Sequence, residues 1–345
     1  MRGARGDRVR AGLSRPVCAA GTASNASDNS QRVPRAGLTP RISRGIMPVI
    51  AMANSSFTRI SVGLLLAGAF GFPARRAAAQ DRPLQTPDAE VVPQGTARIE
   101  TGFDFLQDVS YPLSGLSGDL TNVADIDVRL GVGSTVEVEL AGVAQQFLDI
   151  KEQGASFVPV LTLTGPDATR DNGDFSFSSK IRIFGENHRR PALAIEFGFI
   201  MPNTNQTRGL GNNATDIYSE FIVDRDFGRL ATFGDLGLEI MTSPNALYSQ
   251  NDELLYGAAF RYPLGARIHL VGEVNGRYTP RKIVPALYGT ESRGQARLGL
   301  DVAAGGFVWD VAGIKGINHY DPSYGWTFGV SRDISLFSTK KTSGQ

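Results

Sequence analysis

The strongest constraint on this chain is a two-residue alternation that recurs from Thr96 to Phe337. The stretch GSTVEVELAG, residues 133–142, shows it plainly: Val136, Val138 and Leu140 interleave with Glu137 and Glu139. Successive side chains of a strand point to opposite faces, so this stretch has one apolar face and one carboxylate face. Two folds satisfy that demand. A soluble antiparallel sheet turns its valines to a core and its glutamates to water. A closed membrane barrel does the reverse, with valines toward lipid and glutamates toward a polar interior.

The rest of the chain decides between them. Twelve segments of this kind can be read, at 96–107, 123–131, 133–142, 174–185, 191–201, 215–224, 229–241, 252–262, 266–278, 292–303, 307–318 and 324–337. No helical period competes with them. The connections after the second, fourth, sixth, eighth and tenth segments are short (GVGS, GENHRR, RDFG, PLG, AGG), whereas Val109 to Asn122, Ala144 to Gly173, Pro202 to Ala214 and Thr279 to Glu291 are long. A soluble sandwich has no reason to sort its loops this way. An outer-membrane barrel does, with an even strand count and both ends on the short-turn side. Aromatic residues near segment ends, including Phe103, Phe105, Phe175, Phe199, Phe227, Tyr256, Tyr278, Trp309, Tyr324 and Trp326, match the girdles of such a barrel. Unpaired backbone is costly in lipid, so the sheet must close. The expected fold is all-β, a transmembrane antiparallel β-barrel of about 12 strands spanning 96–337.

Upstream, Ile60 to Phe72 is a short apolar run with Arg59 before it and Ala77-Ala78-Ala79 after it, the pattern of a secretory signal peptide cut after Ala79. Synthesis from Met47 or Met52 would place that signal at the N-terminus. Residues 47–79 are thus the expected signal, and 1–46 are a disordered leader or a misassigned start, with a transit peptide as the alternative. Residues 80–95 read as a polar, Pro-containing tail in the periplasm, and 338–345 as a short polar C-terminal tail. Residues 80–345 hold 23 basic against 32 acidic side chains, a net charge of −9, and no cysteine, since Cys18 lies upstream. Disulfides are therefore not a source of stability after export.

The runs DIDVRLGVGSTVEVEL, SSKIRIFGE and RPALAIEFGFIMP, with the closing strand YGWTFGVSRDISLF, resemble the outer-membrane transporter-like proteins grouped with the meta-pathway of phenol degradation. The likeness covers about residues 96–337. It implies a barrel that passes small organic molecules through the outer membrane. One departure is that Phe337 is followed by STKKTSGQ, where such barrels end on an aromatic residue.

By this register the lumen carries Glu100, Asp104, Asp125, Asp127, Arg129, Glu137, Glu139, Lys180, Arg182, Asp216, Glu220, Asp224, Asp235, Glu239, Arg261, Arg267, His269, Glu273, Arg277, Arg293, Arg297 and Asp301. Acids dominate the early and middle strands, and arginines the ninth and tenth. A basic wall facing an acidic one would orient polar solutes across the pore. Equally, these groups would pair and fill the interior, because twelve strands lie between a filled barrel and an open channel. His188, His269 and His319 fall on three different kinds of site, so no metal centre or cofactor is expected. No serine neighbours His269 to make a catalytic pair, and no basic patch interleaved with aromatics suggests nucleic acid. The expected function is passive uptake of small molecules, aromatic or otherwise hydrophobic, with lipid and the barrel-assembly machinery as partners. The rival is a structural or adhesive barrel whose lumen is plugged. The loop from Gln145 to Gly173 bears on this: folded inward it would constrict the lumen, folded outward it would extend the wall.

Overall fold

The computed structural model describes residues 82–244 and 250–337. The expected leader, signal peptide and C-terminal tail lie outside these residues. Thirteen strands follow one another: β1 (Thr96–Tyr111), β2 (Leu116–Gly131), β3 (Val136–Gln153), β4 (Ala168–Asp171), β5 (Phe175–Phe184), β6 (Ala192–Ile200), β7 (Asp216–Phe227), β8 (Leu230–Met241), β9 (Asn251–Pro263), β10 (Ile268–Tyr278), β11 (Arg293–Ala304), β12 (Phe307–Gly316) and β13 (Tyr324–Ser335). Twelve of them form a closed antiparallel ring. β1 pairs with both β2 and β13, β3 pairs with β2 and β5, and β4 is a short strand attached to β3. Closure leaves no open edge in the ring.

The alternation sets which face is which. On β1, Ile99, Phe103 and Phe105 are exposed on the outer surface while Glu100 and Asp104 are buried; on β8, Leu236, Leu238 and Ile240 are exposed while Glu239 is buried. Charged groups inside and large apolar groups outside invert the usual order of a soluble domain. The fold is an outer-membrane-type barrel whose greasy belt faces acyl chains.

The long connections differ from the sequence expectation on one wall. Val109 to Asn122 reads as a loop, but β1 and β2 run through it and meet at a tight turn over 112–115. The reason is a pair of irregularities. Asp108 and Ala124 adopt left-handed backbone (φ 57° and 54°), and the β1–β2 register shifts beside each. Each shift breaks the alternation that a pattern reading relies on. β3 is 18 residues long, where roughly 9–11 tilted residues suffice to cross a bilayer. Its upper part therefore stands beyond the membrane and pairs with β4. So the 145–173 connection does both things open to it. Gln146 to Asp149 pair with β4 and extend the wall, while Val158 is buried and Leu161 and Leu163 pack against the cluster of Leu106, Val109, Leu116, Leu120, Leu148, Leu210 and Ile314 inside the mouth.

Candidate functional site

The segment expected as a tail outside the barrel is inside it. From the short-turn rim, where the Gly95 N–H donates to the Gly131 carbonyl at 2.9 Å, residues 92 back to 82 run around the inner wall. A buried extended segment must find partners for its main chain, and the barrel's carboxylates supply them. The Val92 N–H donates to Glu137 at 2.5 Å, Ala89 to Asp224 at 2.7 Å, Gln85 and Thr86 to Glu273 at 2.9 and 2.8 Å, and Arg82 to Glu100 at 3.1 Å. Side chains reinforce the docking. The Thr86 hydroxyl also donates to Glu273, Lys180 donates to the Asp88 carbonyl at 3.0 Å, Arg297 donates to the Pro83 carbonyl at 2.9 Å, and Arg182 pairs with Glu90. Small apolar contacts complete it, with Ala89 against Ala192, Ala194 and Ile222, and Leu84 against Ala259 and Val271.

Arg82 ends the described part of this path in a socket of acids. Its Nη1 lies 2.6 Å from Asp125, its Nη2 donates to the Thr327 hydroxyl at 2.7 Å, and its Nε is 3.6 Å from Asp310, itself fully buried. The facing pair Gly102 and Gly329 makes the slot: a Cβ on either would collide with the guanidinium. Glycine serves here for close approach, not for turning.

Eight of the twenty-two residues expected to line a lumen thus hold the segment: Glu100, Asp125, Glu137, Lys180, Arg182, Asp224, Glu273 and Arg297. Others pair along the wall. Arg129 bridges Asp127 at 2.5 Å and Glu139 at 3.0 Å; Asp301 receives Arg261 at 3.1 Å and His269 Nδ1 at 2.5 Å; Arg277 approaches Glu253 at 3.2 Å and Glu239 at 4.0 Å. Asp104 accepts from Asn122 at 3.2 Å, and Asp216 from the Thr242 N–H at 2.7 Å. Arg267 sits in the turn ahead of β10 and not on the wall. Of the two open electrostatic readings, pairing prevails over a naked basic wall, since the arginines of β9 to β11 meet carboxylates on their own side of the barrel. Glu220 and Asp235, on β7 and β8, face a cavity instead.

Among the described residues, two cavities of about 300 Å³ each share part of their lining. The outer one, toward the long loops, has an apolar side built by Leu106, Val109, Leu120, Val158, Leu210 and Met241, and a polar side that includes Asp174, Asp216, Glu291 and Asp321. Burial pushes the Asp174 carboxyl above the usual carboxylate range, although the Thr204 hydroxyl donates to it at 3.0 Å. The inner cavity touches Glu220, Asp235, Leu255 and Asn275, and its floor is Gln85, Thr86 and Pro87 of the docked segment. Arg277, Arg293 and Gln295 line both cavities and form the waist between them. Arg293 is held there by the Ser110 carbonyl at 2.7 Å and the Tyr320 carbonyl.

Sequence reasoning missed the apolar half of the outer cavity, because it assigns every greasy residue of a strand to lipid. Leu106 shares the inward face of Glu100 and Asp104 by plain alternation, whereas Val109 turns inward past the irregularity at Asp108, and Leu116 and Leu120 past the one at Ala124. It missed the docked segment as well, although Arg82, Asp88 and Glu90 in a tail otherwise poor in charge, opposite an acid-rich lumen, were a usable signal. Among the described residues no group of His, Cys, Asp and Glu is placed to hold a metal ion.

Comparison with known proteins places this geometry. In solved structures the barrel is similar to the COG4313 outer membrane channel from Pseudomonas putida F1, with a TM-score of 0.53 at 12% identity over 73% of this chain and 100% of that one. It is also similar to the translocator domain of autotransporter NalP from Neisseria meningitidis, with a TM-score of 0.40 at 12% identity over 81% of this chain and 96% of that one. Among curated proteins, none matches the sequence significantly. The model of the family described as "Putative MetA-pathway of phenol degradation" matches residues 80–331, which takes in the docked segment together with nearly the whole barrel. The chain belongs to that family.

Proposed function

We propose that this chain is an outer-membrane channel for passive uptake of small molecules, aromatic or otherwise hydrophobic, delivered to the membrane by its signal peptide and inserted by the barrel-assembly machinery. The observation that carries this reading is that the two cavities meet at shared side chains. A mouth with one apolar side meets, at Arg277 and Arg293, a chamber that Gln85, Thr86 and Pro87 of the docked segment help to line. Cavities of this size suit small solutes, being at the lower end of the roughly 300–1,000 Å³ typical of ligand sites. Passage then requires the segment at 82–92 to leave its carboxylate partners. The lumen residues named from the sequence act in this reading as the seat of that segment and, at Glu220, Asp235, Arg277 and Arg293, as the surface a solute meets. No step of covalent chemistry is assigned to them.

The docked segment also favours a second reading, a non-transporting structural barrel with a plugged interior. Swelling of liposomes carrying the full chain, in sugars and in nicotinamide, separates the two. Swelling faster than in protein-free liposomes, and faster still with Glu273→Ala, supports the channel. Swelling in neither protein supports the plugged barrel.

A further inference from the structure

The waist between the cavities holds a guanidinium whose hydrogen bonds to the described residues run through one of its three nitrogens. The Arg277 Nε is shared between Glu253 at 3.2 Å and the Glu291 carbonyl at 3.4 Å, and Nη1 comes no closer than 4.0 Å to Glu239. Neither Nη makes a hydrogen bond to the described residues, although both cavities are lined by this side chain. Its charge is already answered by Glu253 and Glu239, so what remains on offer is geometry: a fork of N–H groups at the meeting point of two chambers. The outer cavity that Arg277 lines is lined as well by apolar side chains, Leu106, Leu120, Leu210 and Met241 among them.

The charge of the surroundings decides what such a fork receives. The two cavities are lined by six carboxylates, Asp174, Asp216, Glu291 and Asp321 outside and Glu220 and Asp235 within, against the guanidiniums of Arg277 and Arg293. An incoming carboxylate would add a like charge to an acid-rich, partly dry space. A neutral oxygen gains a charge-assisted hydrogen bond and brings no charge with it.

We infer that this junction is a binding site for a small neutral molecule with a flat or compact apolar body and one carbonyl or hydroxyl oxygen, that Arg277 donates to that oxygen, and that the site discriminates against carboxylates of the same shape. The site rests on the reading of the chain as a small-molecule channel and gives it a solute class. Binding is read without flux, so a chain that binds but never transports would contradict that reading alone.

Benzamide and benzoate are nearly the same size and differ in charge at pH 7. Titrated by calorimetry against the full chain in detergent, benzamide binds, and benzoate binds at least about tenfold more weakly. Removing the donor while also neutralising its nearest acid, as Arg277→Gln with Glu253→Gln, weakens benzamide about tenfold. Arg277→Lys, which keeps a donor and the charge, retains most of the affinity. Benzoate binding as tightly as benzamide, or no binding of either, would overturn the inference on the native chain alone. So would a double variant that binds benzamide like the native protein.

Discussion

The two halves of this barrel's interior are filled by opposite chemistry. In the half toward the short turns, carboxylates of β1, β3, β7 and β10 accept the backbone N–H groups of residues 82–92, with Lys180 and Arg297 closing the pattern from the other sign. In the half toward the long loops, leucines and valines pack on one another beneath the 145–173 connection. The first half is specific in direction and weak in shape, since a hydrogen bond is lost when either partner moves. The second is specific in shape and indifferent to charge. On the proposed channel reading, the segment held by ionic hydrogen bonds is the part that must move, and the packed mouth is the part that must not.

That contrast breaks most visibly at Glu273, which accepts two backbone N–H groups and a hydroxyl and lies 3.5 Å from Arg297. Glu273→Ala leaves Arg297 without its acid and should weaken docking by about 4 kcal/mol. Hydrogen exchange at Gln85 and Thr86 then accelerates by a few hundredfold or more, and conductance in planar bilayers rises. Unchanged exchange would show that the segment is held elsewhere. On the packed side, Leu116→Ala removes a side chain only 1% exposed and should cost about 3 kcal/mol of unfolding free energy. Urea unfolding reads the loss, and exchange at Gln85 and Thr86 stays as in the native chain. If Leu116→Ala instead released the segment, the two halves would be one cooperative unit and the comparison would fail.

The architecture was legible because the period-two pattern, the sorting of short and long connections and the aromatic strand ends are all consequences of one solvent arrangement. Each of the twelve segments read from the sequence corresponds to a strand of the ring. What was not legible follows from two limits of that pattern. Alternation tells which face a side chain takes only while the register holds, so Val109, Leu116 and Leu120, lying past the irregularities at Asp108 and Ala124, fall in a stretch that reads as a loop. And alternation says nothing of a segment that forms no strand. The sequence QDRPLQTPDAEVVPQG has neither period nor helix signal, and its place inside the lumen comes from main-chain hydrogen bonds to acids more than 100 residues away, such as Asp224 and Glu273. The charged inward positions themselves were readable. Their partners were not, because pairing depends on which strands are neighbours and on what else occupies the lumen.

Ala89 of the docked segment is fully buried against β6 and β7, which makes position 89 the most direct probe of whether the segment fills the barrel. With Cys18 replaced by Ser where that residue is retained, Ala89→Cys and, as an exposed reference on a short turn, Asn187→Cys are treated with a membrane-impermeant maleimide in folded, lipid-reconstituted protein. The docked arrangement predicts rapid labelling at position 187 and protection at position 89 until the protein is unfolded. Equal labelling at both positions would place residues 82–92 outside the lumen and contradict the closure on which this account rests.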